Sequence, residues 1–341
     1  MDDTVKTPAP ELPLALLRFR FIAETPMRLP EWPGSMLRGA FGHALRRAAC
    51  MVRQKDCAAC PLYRTCPYPA VFAPPPRQHA IQHFSQPPVP YLIEPERWGA
   101  RELRPGDVLQ FSMVLMGRAL TELALITHAW TEAVAHGLGP ANGMAALSQI
   151  EYLPPQGAPV PIHRQGDSRL KPFTPIMPLV PAVANPATVT LSFTSPLRLQ
   201  ENGHALALAR LTPKTLLMAT VRRVALISEF YGSGTPAWNF SALADLSNAI
   251  RDEKQLHWQD WTRRSSRQQR TMQLGGVVGT WRLFGNLAPF FPALYLGQWL
   301  HVGKEAVFGM GRYALTWEKQ SAATHVTTSN NYARMQTLHD G

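Results

Sequence analysis

Four cysteines, Cys50, Cys57, Cys60 and Cys66, fall within 17 residues and are all the cysteines of this chain. Their spacing is Cys-x6-Cys-x2-Cys-x5-Cys. Four thiolates fill the tetrahedral shell that zinc prefers, and Cys-x2-Cys is a common knuckle spacing. An iron–sulfur cluster takes the same ligand set, and zinc is favoured over it. A shell of four cysteines leaves no position for a reactive water, so the metal expected here is structural, not catalytic. The spacers Ala58-Ala59 and Pro61-Leu62-Tyr63-Arg64-Thr65 carry little apolar weight. Metal binding would therefore supply much of the segment's stability.

Two other stretches suit anions. The run His301-Val302-Gly303-Lys304-Glu305-Ala306-Val307-Phe308-Gly309-Met310-Gly311-Arg312-Tyr313 places three glycines between Lys304 and Arg312 or beside them. Glycine serves where φ is positive or where another chain comes close. A loop of this kind, with Lys304 and Arg312, is expected to turn amides and cations toward a phosphate backbone. It is neither the dinucleotide fingerprint nor the nucleotide-triphosphate loop, since no hydroxyl follows Lys304. The second stretch holds Arg263, Arg264, Arg267 and Arg270 with no acid among them. Four guanidiniums so placed suit phosphate contact. Trp258 and Trp261 lie just upstream and are read either as base-stacking or as core residues.

The elements that would position these residues fall into two sets. In the first, Leu14–Ile22 reads as a strand and Ser35–Val52 as a helix with Leu37, Phe41, Ala44, Leu45 and Ala48 at helical spacing. A short edge strand at Tyr91–Pro95, a strand at Val108–Met116, a helix at Ala119–His136 and a strand at Ile150–Leu153 follow. In the second, Thr188–Thr194 alternates as a strand, and Thr212-Pro213 opens a helix that runs to Tyr231. A helix over 240–253, a strand over Thr271–Phe284, a helix over Leu287–Leu300 and a strand over Val307–Trp317 complete it. Strand, helix, strand, strand, helix, strand is the order of a ferredoxin-like unit. The fold expected is α+β, with two tandem ferredoxin-like (RRM-like) domains. The first covers 12–186 and carries the four-cysteine insertion at 50–66. The second covers 187–318 and carries the glycine-rich loop. Residues 319–341 are polar, lack periodicity and are expected to be disordered.

Composition narrows the partner. Lys plus Arg number 34 and Asp plus Glu 23, a formal charge of +11 in 341 residues that are 45% hydrophobic. That surplus points to a polyanion. No apolar run is long enough for a membrane span. The start, Met1-Asp2-Asp3-Thr4, lacks the basic-then-apolar order of a signal peptide, so the cytoplasm is expected.

The ordered set of motifs resembles the CRISPR repeat-cleaving, pre-crRNA-processing endoribonucleases of the RAMP superfamily. It runs from Leu37-Arg38-Gly39-Ala40-Phe41-Gly42-His43-Ala44-Leu45-Arg46-Arg47 through Arg263-Arg264 and Leu274-Gly275-Gly276-Val277-Val278-Gly279. Phe290-Phe291-Pro292-Ala293-Leu294-Tyr295-Leu296-Gly297 and the final glycine run complete it. The resemblance spans about residues 12–318 and is dense in 34–72 and 260–317. It implies metal-independent cleavage of CRISPR repeat RNA at a stem–loop, giving mature crRNA. The nucleophile would be the neighbouring 2′-hydroxyl, and the products a 2′,3′-cyclic phosphate and a 5′-hydroxyl. It also implies that the crRNA product is retained, and that other CRISPR effector subunits are partners. A non-catalytic RNA-binding subunit of a CRISPR effector ribonucleoprotein is the alternative.

Such cleavage needs a base at the 2′-hydroxyl, an acid at the leaving oxygen and cations for the charge that develops on the phosphorus. Histidine titrates near neutrality and suits the base. His43 stands where this family places its catalytic histidine. Arg46 and Arg47 lie three and four residues on, on the same side of the helix, and Arg38 five residues earlier. Relatives commonly place a tyrosine or serine just before this helix as the acid. Here that stretch offers Ser35 and no tyrosine, so the acid is unassigned. Arg18 and Arg20, alternating on one sheet face, and Arg222 and Arg223 on a helix are weaker candidates for RNA contact.

Overall fold

The computed structural model describes residues 8–76, 87–182, 186–265, 270–319 and 327–329. The chain divides into two compact units. One comprises Leu12–Met177, the other the described residues of Met1–Glu11 and Pro178–Gly341.

In the first unit β1 (Leu14–Ala23) and a short β2 (Met27–Leu29) lead into α1 (Gly34–Ala49), then α2 (Pro67–Phe72). Next come β3 (Tyr91–Pro95), β4 (Arg101–Leu103), β5 (Val108–Met116), α3 (Leu123–Ala135), β6 (Ala145–Tyr152) and β7 (Val160–Arg164). The sheet order is β3-β5-β1-β6-β7, and every neighbouring pair is antiparallel. Strand β1 alternates, so Phe19 and Phe21 face the helices while Arg18 and Arg20 face the other way. Phe111 on β5 stacks between Phe19 and Trp130 of α3, at centroid distances of 5.6 and 4.4 Å. Phe41 of α1 stacks on the same Trp130 at 5.1 Å. Burying each such ring contributes roughly 2–3 kcal/mol. This aromatic stack fixes which face of α1 is turned inward.

The second unit repeats the order. Strand β8 (Pro186–Leu197), the small hairpin β9 (Gln200–Glu201) and β10 (His204–Ala205), α4 (Pro213–Tyr231) and α5 (Phe240–Leu246) come first. Then follow β11 (Arg251–Ser265), β12 (Arg270–Phe284), α6 (Phe291–Leu300), β13 (Tyr313–Lys319) and β14 (Thr327–Ser329). The sheet order is β11-β12-β8-β13-β14. Omitting the outermost β7 and β14, both sheets run second, third, first, fourth in terms of the repeated unit. Helix α4 starts on Thr212, whose hydroxyl accepts from the Thr215 amide in a reciprocal cap.

Several expectations are revised. The helix expected over 240–253 stops at Leu246, and Arg251 already begins β11. This strand is polar because it is an edge strand: of residues 251–261 only Trp261 is buried. Strand β12 pairs with β8 from Val277 to Phe284, whereas β11 and β12 pair along their whole length. Residues 259–265 and 270–276 therefore continue past β8 as a two-stranded ribbon. The last expected strand begins at Tyr313, after a short 3-10 turn at Ala306–Phe308. Thr327–Ser329, in the stretch expected to be disordered, pairs with β13. Among the described residues no helix is long and apolar enough to cross a membrane.

Candidate RNA-cleavage site

Helix α1 buries Leu37, Phe41, Ala44 and Leu45, which leaves His43 and Arg47 on the exposed face, one turn apart. Arg46 and Arg47 sit in the last turn, where the helix dipole favours cations. Gly42 lies against Phe72 of α2, and a Cβ there would overlap the Phe72 ring. Glycine at this position lets α2 close onto α1 beside His43.

His43, Arg46, Arg47, Cys50, Arg53, Gln54 and Lys55 line an open cleft of about 740 Å³. One wall is the last two turns of α1. The other is the spacer between Cys50 and Cys57. Four of the lining residues are cations and none is a carboxylate. The sequence reading missed Arg53, Gln54 and Lys55, because nothing in the spacing shows that the cysteine segment folds back over the helix end. The basic character of Arg53-Gln54-Lys55 was the available signal.

The four α1 residues of the sequence reading do not act alike. His43 and Arg47 are exposed in the cleft. Arg46 spends its Nη2 on the backbone, donating to the carbonyls of Gln54 at 2.7 Å and Lys55 at 2.6 Å. It binds the cysteine segment as a brace while still lining the cleft. Arg38 turns away from the cleft, with its guanidinium 4.4 Å from the centroid of the Phe72 ring. Burial pushes the Tyr91 phenol well above its ordinary value, and the Arg38 charge beside it opposes that shift. Arg38 is part of the packing between α1, α2 and β3.

The cysteines Cys50, Cys57, Cys60 and Cys66 are all half-buried and unoxidised. The Cys57 thiol is pushed up, chiefly by burial, with Arg46 opposing and Cys50, Cys66 and Cys60 adding to the rise. The thiols therefore share one neighbourhood. Among the described residues no group of three or more His, Cys, Asp or Glu is arranged to hold a metal ion. The donor set suits zinc in kind, but it is not gathered into a closed shell.

In the second unit the glycine-rich loop uses its amides internally. Gly303, Gly309 and Gly311 all have positive φ. The amides of Lys304 and Gly311 donate to the carbonyls of Arg198 and Pro196, and that of Val302 to Gly311. The Arg312 amide donates to the Ser195 hydroxyl, which donates to the Gly309 carbonyl. A Cβ on Gly311 would land on the Val302 carbonyl. The glycines thus fasten the loop against the end of β8, and the expected cradle of phosphate-facing amides is not formed. Arg312 is half-buried, with Nε donating to Thr194 at 3.0 Å. Lys304 is exposed and lines a cleft of about 810 Å³ with Lys214 and Arg222. His301 is fully buried beneath the loop.

Arg263 and Arg264 lie at the end of β11 and Arg270 at the start of β12, on the ribbon; Arg267 lies outside the described residues. Trp261 is a core residue, whereas Trp258 is exposed and donates to Asp260. Arg18 is buried against Glu151 at 3.3 Å, and Arg20 donates to Gln110 at 2.7 Å. On that face Arg18 is paired with a carboxylate and Arg20 with an amide oxygen, so both guanidiniums are held in a polar network. Arg223 donates from Nε and Nη2 to the Leu300 carbonyl, capping α6, and burial pulls its guanidinium down to about 10.

The chain is thus built of two α+β units in tandem, each on an antiparallel sheet, with a histidine–arginine helix in the first. Residues 191–313 match the family model of the CRISPR-associated endoribonuclease Cas6, and residues 12–175 match a model described as an N-terminal domain. The second unit thus carries a domain similar to the CRISPR-associated endoribonuclease Cas6. A Cas6 product complex matches over 88% of this chain and 98% of that one, at 15% identity and a TM-score of 0.53. Thermus thermophilus Cas6 matches over 89% and 98%, at 14% identity and a TM-score of 0.50. The Cas6-bearing chain of a partial Cas6-RT-Cas1–Cas2 complex matches over 95% of this chain and 49% of that one, at 14% identity and a TM-score of 0.54. At these identities the likeness is one of fold. No curated protein matches the chain by sequence.

Proposed function

We propose that this chain is a metal-independent endoribonuclease that cuts CRISPR repeat RNA at a stem–loop to release mature crRNA. The observation that carries the reading is the exposed His43 in a cleft with four cations and no carboxylate. His43 takes the proton of the 2′-hydroxyl, whose oxygen attacks the adjacent phosphorus. The bond to the 5′-oxygen breaks, leaving a 2′,3′-cyclic phosphate and, after protonation, a 5′-hydroxyl. Arg47 faces the charge that accumulates on the phosphate oxygens. Cations preorganised in this way are among the larger contributions to catalysis.

Both units are ferredoxin-like, and Arg263, Arg264 and Arg270 on the β11–β12 ribbon contact the RNA stem, as do Arg267, Lys304 and Arg312. A structural zinc would be held by Cys50, Cys57, Cys60 and Cys66, drawn together on binding. The protein works in the cytoplasm, holds its crRNA product and meets other CRISPR effector subunits.

One observation favours the second reading, an RNA-binding subunit without catalysis. The cleft lining contains no tyrosine, serine or second histidine to act as the acid. Incubating the full chain with labelled CRISPR repeat RNA in EDTA separates the two. Cleavage at one position, with a 2′,3′-cyclic phosphate on the upstream product, is expected. Tight binding without cleavage would overturn the enzyme in favour of the binding subunit.

A further inference from the structure

The spacer between Cys50 and Cys57 does more than link two thiols. Its backbone turns at Arg53, which has the left-handed φ of 55°. The turn brings the Gln54 and Lys55 carbonyls back over α1, where Arg46 holds both from one nitrogen. Hydrogen bonds from a charged donor are roughly twice as strong as neutral ones. This pair fixes the spacer relative to His43, which lies three residues before Arg46. The Arg46 guanidinium also lies 5.9 Å from the centroid of the ring of Tyr68, in the helix that follows Cys66.

The charges around this spacer are unbalanced. Five arginines elsewhere pair with carboxylates: Arg18 with Glu151, Arg28 with Glu102, Arg101 with Glu96, Arg210 with Glu201 and Arg282 with Glu253. Among the described residues Arg47, Arg53 and Lys55 form no ion pair, and all three are exposed. The adjacent acid, Asp56, accepts from the Ala58 amide at 2.9 Å and does not enter the cleft lining. Uncompensated cations on both walls of one groove attract a polyphosphate backbone.

We infer that this spacer is the second RNA-binding wall of the His43 cleft. Arg53 and Lys55 contact backbone phosphates of the strand being cut, and Arg46 is a positioning residue that holds them there. The inference rests on the proposed function and assigns two RNA-binding residues outside the helix.

Fluorescence anisotropy of labelled CRISPR repeat RNA, titrated with the full chain over a series of salt concentrations, tests it. Each phosphate contact contributes about 0.7 to 0.9 to the slope of log affinity against log salt. Arg53→Ala and Lys55→Ala should each lower the slope by about that amount, with unchanged melting temperatures. Arg46→Ala should weaken binding about as much as the Arg53→Ala/Lys55→Ala pair, and adding it to that pair should change little. Arg46→Lys keeps the charge but not the geometry of the brace, and should behave like Arg46→Ala. Unchanged affinity and slope for Arg53→Ala and Lys55→Ala, with the unmutated chain binding RNA, would overturn the second wall and leave the proposed function standing. Full additivity of Arg46→Ala, or retention of binding by Arg46→Lys, would make Arg46 a direct phosphate contact and overturn its positioning role. Failure of the unmutated chain to bind RNA would sink the proposed function, and this inference with it.

Discussion

His43, Arg38, Arg46 and Arg47 look alike in the sequence, four polar residues on one helix, yet each does a different job. His43 and Arg47 sit a full turn apart on the exposed face, which the apolar spacing of α1 already dictated. The other two were not legible, because their partners are distant in sequence: Phe72 and Tyr91 for Arg38, and the Gln54 and Lys55 carbonyls for Arg46. Packing against a ring that arrives from another helix leaves no trace in the spacing of the first. Arg38→Ala should therefore act on stability. It removes a guanidinium from the Phe72 face and from beside the buried Tyr91 hydroxyl, at a cost of about 1–3 kcal/mol in urea unfolding. An unchanged unfolding midpoint with lost RNA cleavage would place Arg38 at the reaction instead.

At the scale of elements, the glycine-rich loop shows how a correct motif carries a different physical meaning. The three glycines were legible as positions of positive φ or close approach, and both hold. What they approach is the chain's own β8 and Val302 backbone, which no spacing rule states. Gly311→Ala combines an unfavourable φ with a clash against the Val302 carbonyl, and should cost more than about 2 kcal/mol by chemical denaturation. Strand β11 was not legible for the opposite reason. Edge strands exposed to solvent lose the alternation that marks a buried one, and Arg251–Asp260 contains no buried residue. Metal belongs to this scale too. Chelation of a zinc-loaded chain should release about one zinc per chain and lower the melting temperature of the first unit. A metal-free chain with the same melting temperature would remove zinc from the account.

For the whole molecule, the repeated element order was readable from periodicity and turn residues except at β11, whereas the pairing order of the strands came only with the structure. Burial acts on both units in the same direction. The phenols of Tyr91, Tyr152, Tyr295 and Tyr313 are all raised, each by burial first. A raised phenol binds its proton more tightly folded than unfolded. Its stabilising contribution is complete below the unfolded value near 10 and is lost as pH rises above it. Arg223, pulled down to about 10, works in the other sense, but alone. Melting temperature should thus fall as pH is raised from about 9 to 11, and a flat profile would contradict the buried phenols. The formal charge of +11 adds a salt dependence to RNA affinity that an uncharged binding surface would lack.

The most direct test of the account is cleavage of CRISPR repeat RNA in EDTA by the unmutated chain and by His43→Ala. Each is assayed on the natural RNA and on RNA carrying a 2′-deoxy nucleotide at the cut. The account expects cleavage only when both His43 and the 2′-hydroxyl are present. His43→Ala should lower the rate by about 10²- to 10⁴-fold while RNA binding and folding persist. Cleavage of the 2′-deoxy substrate, or an undiminished rate without His43, would contradict it.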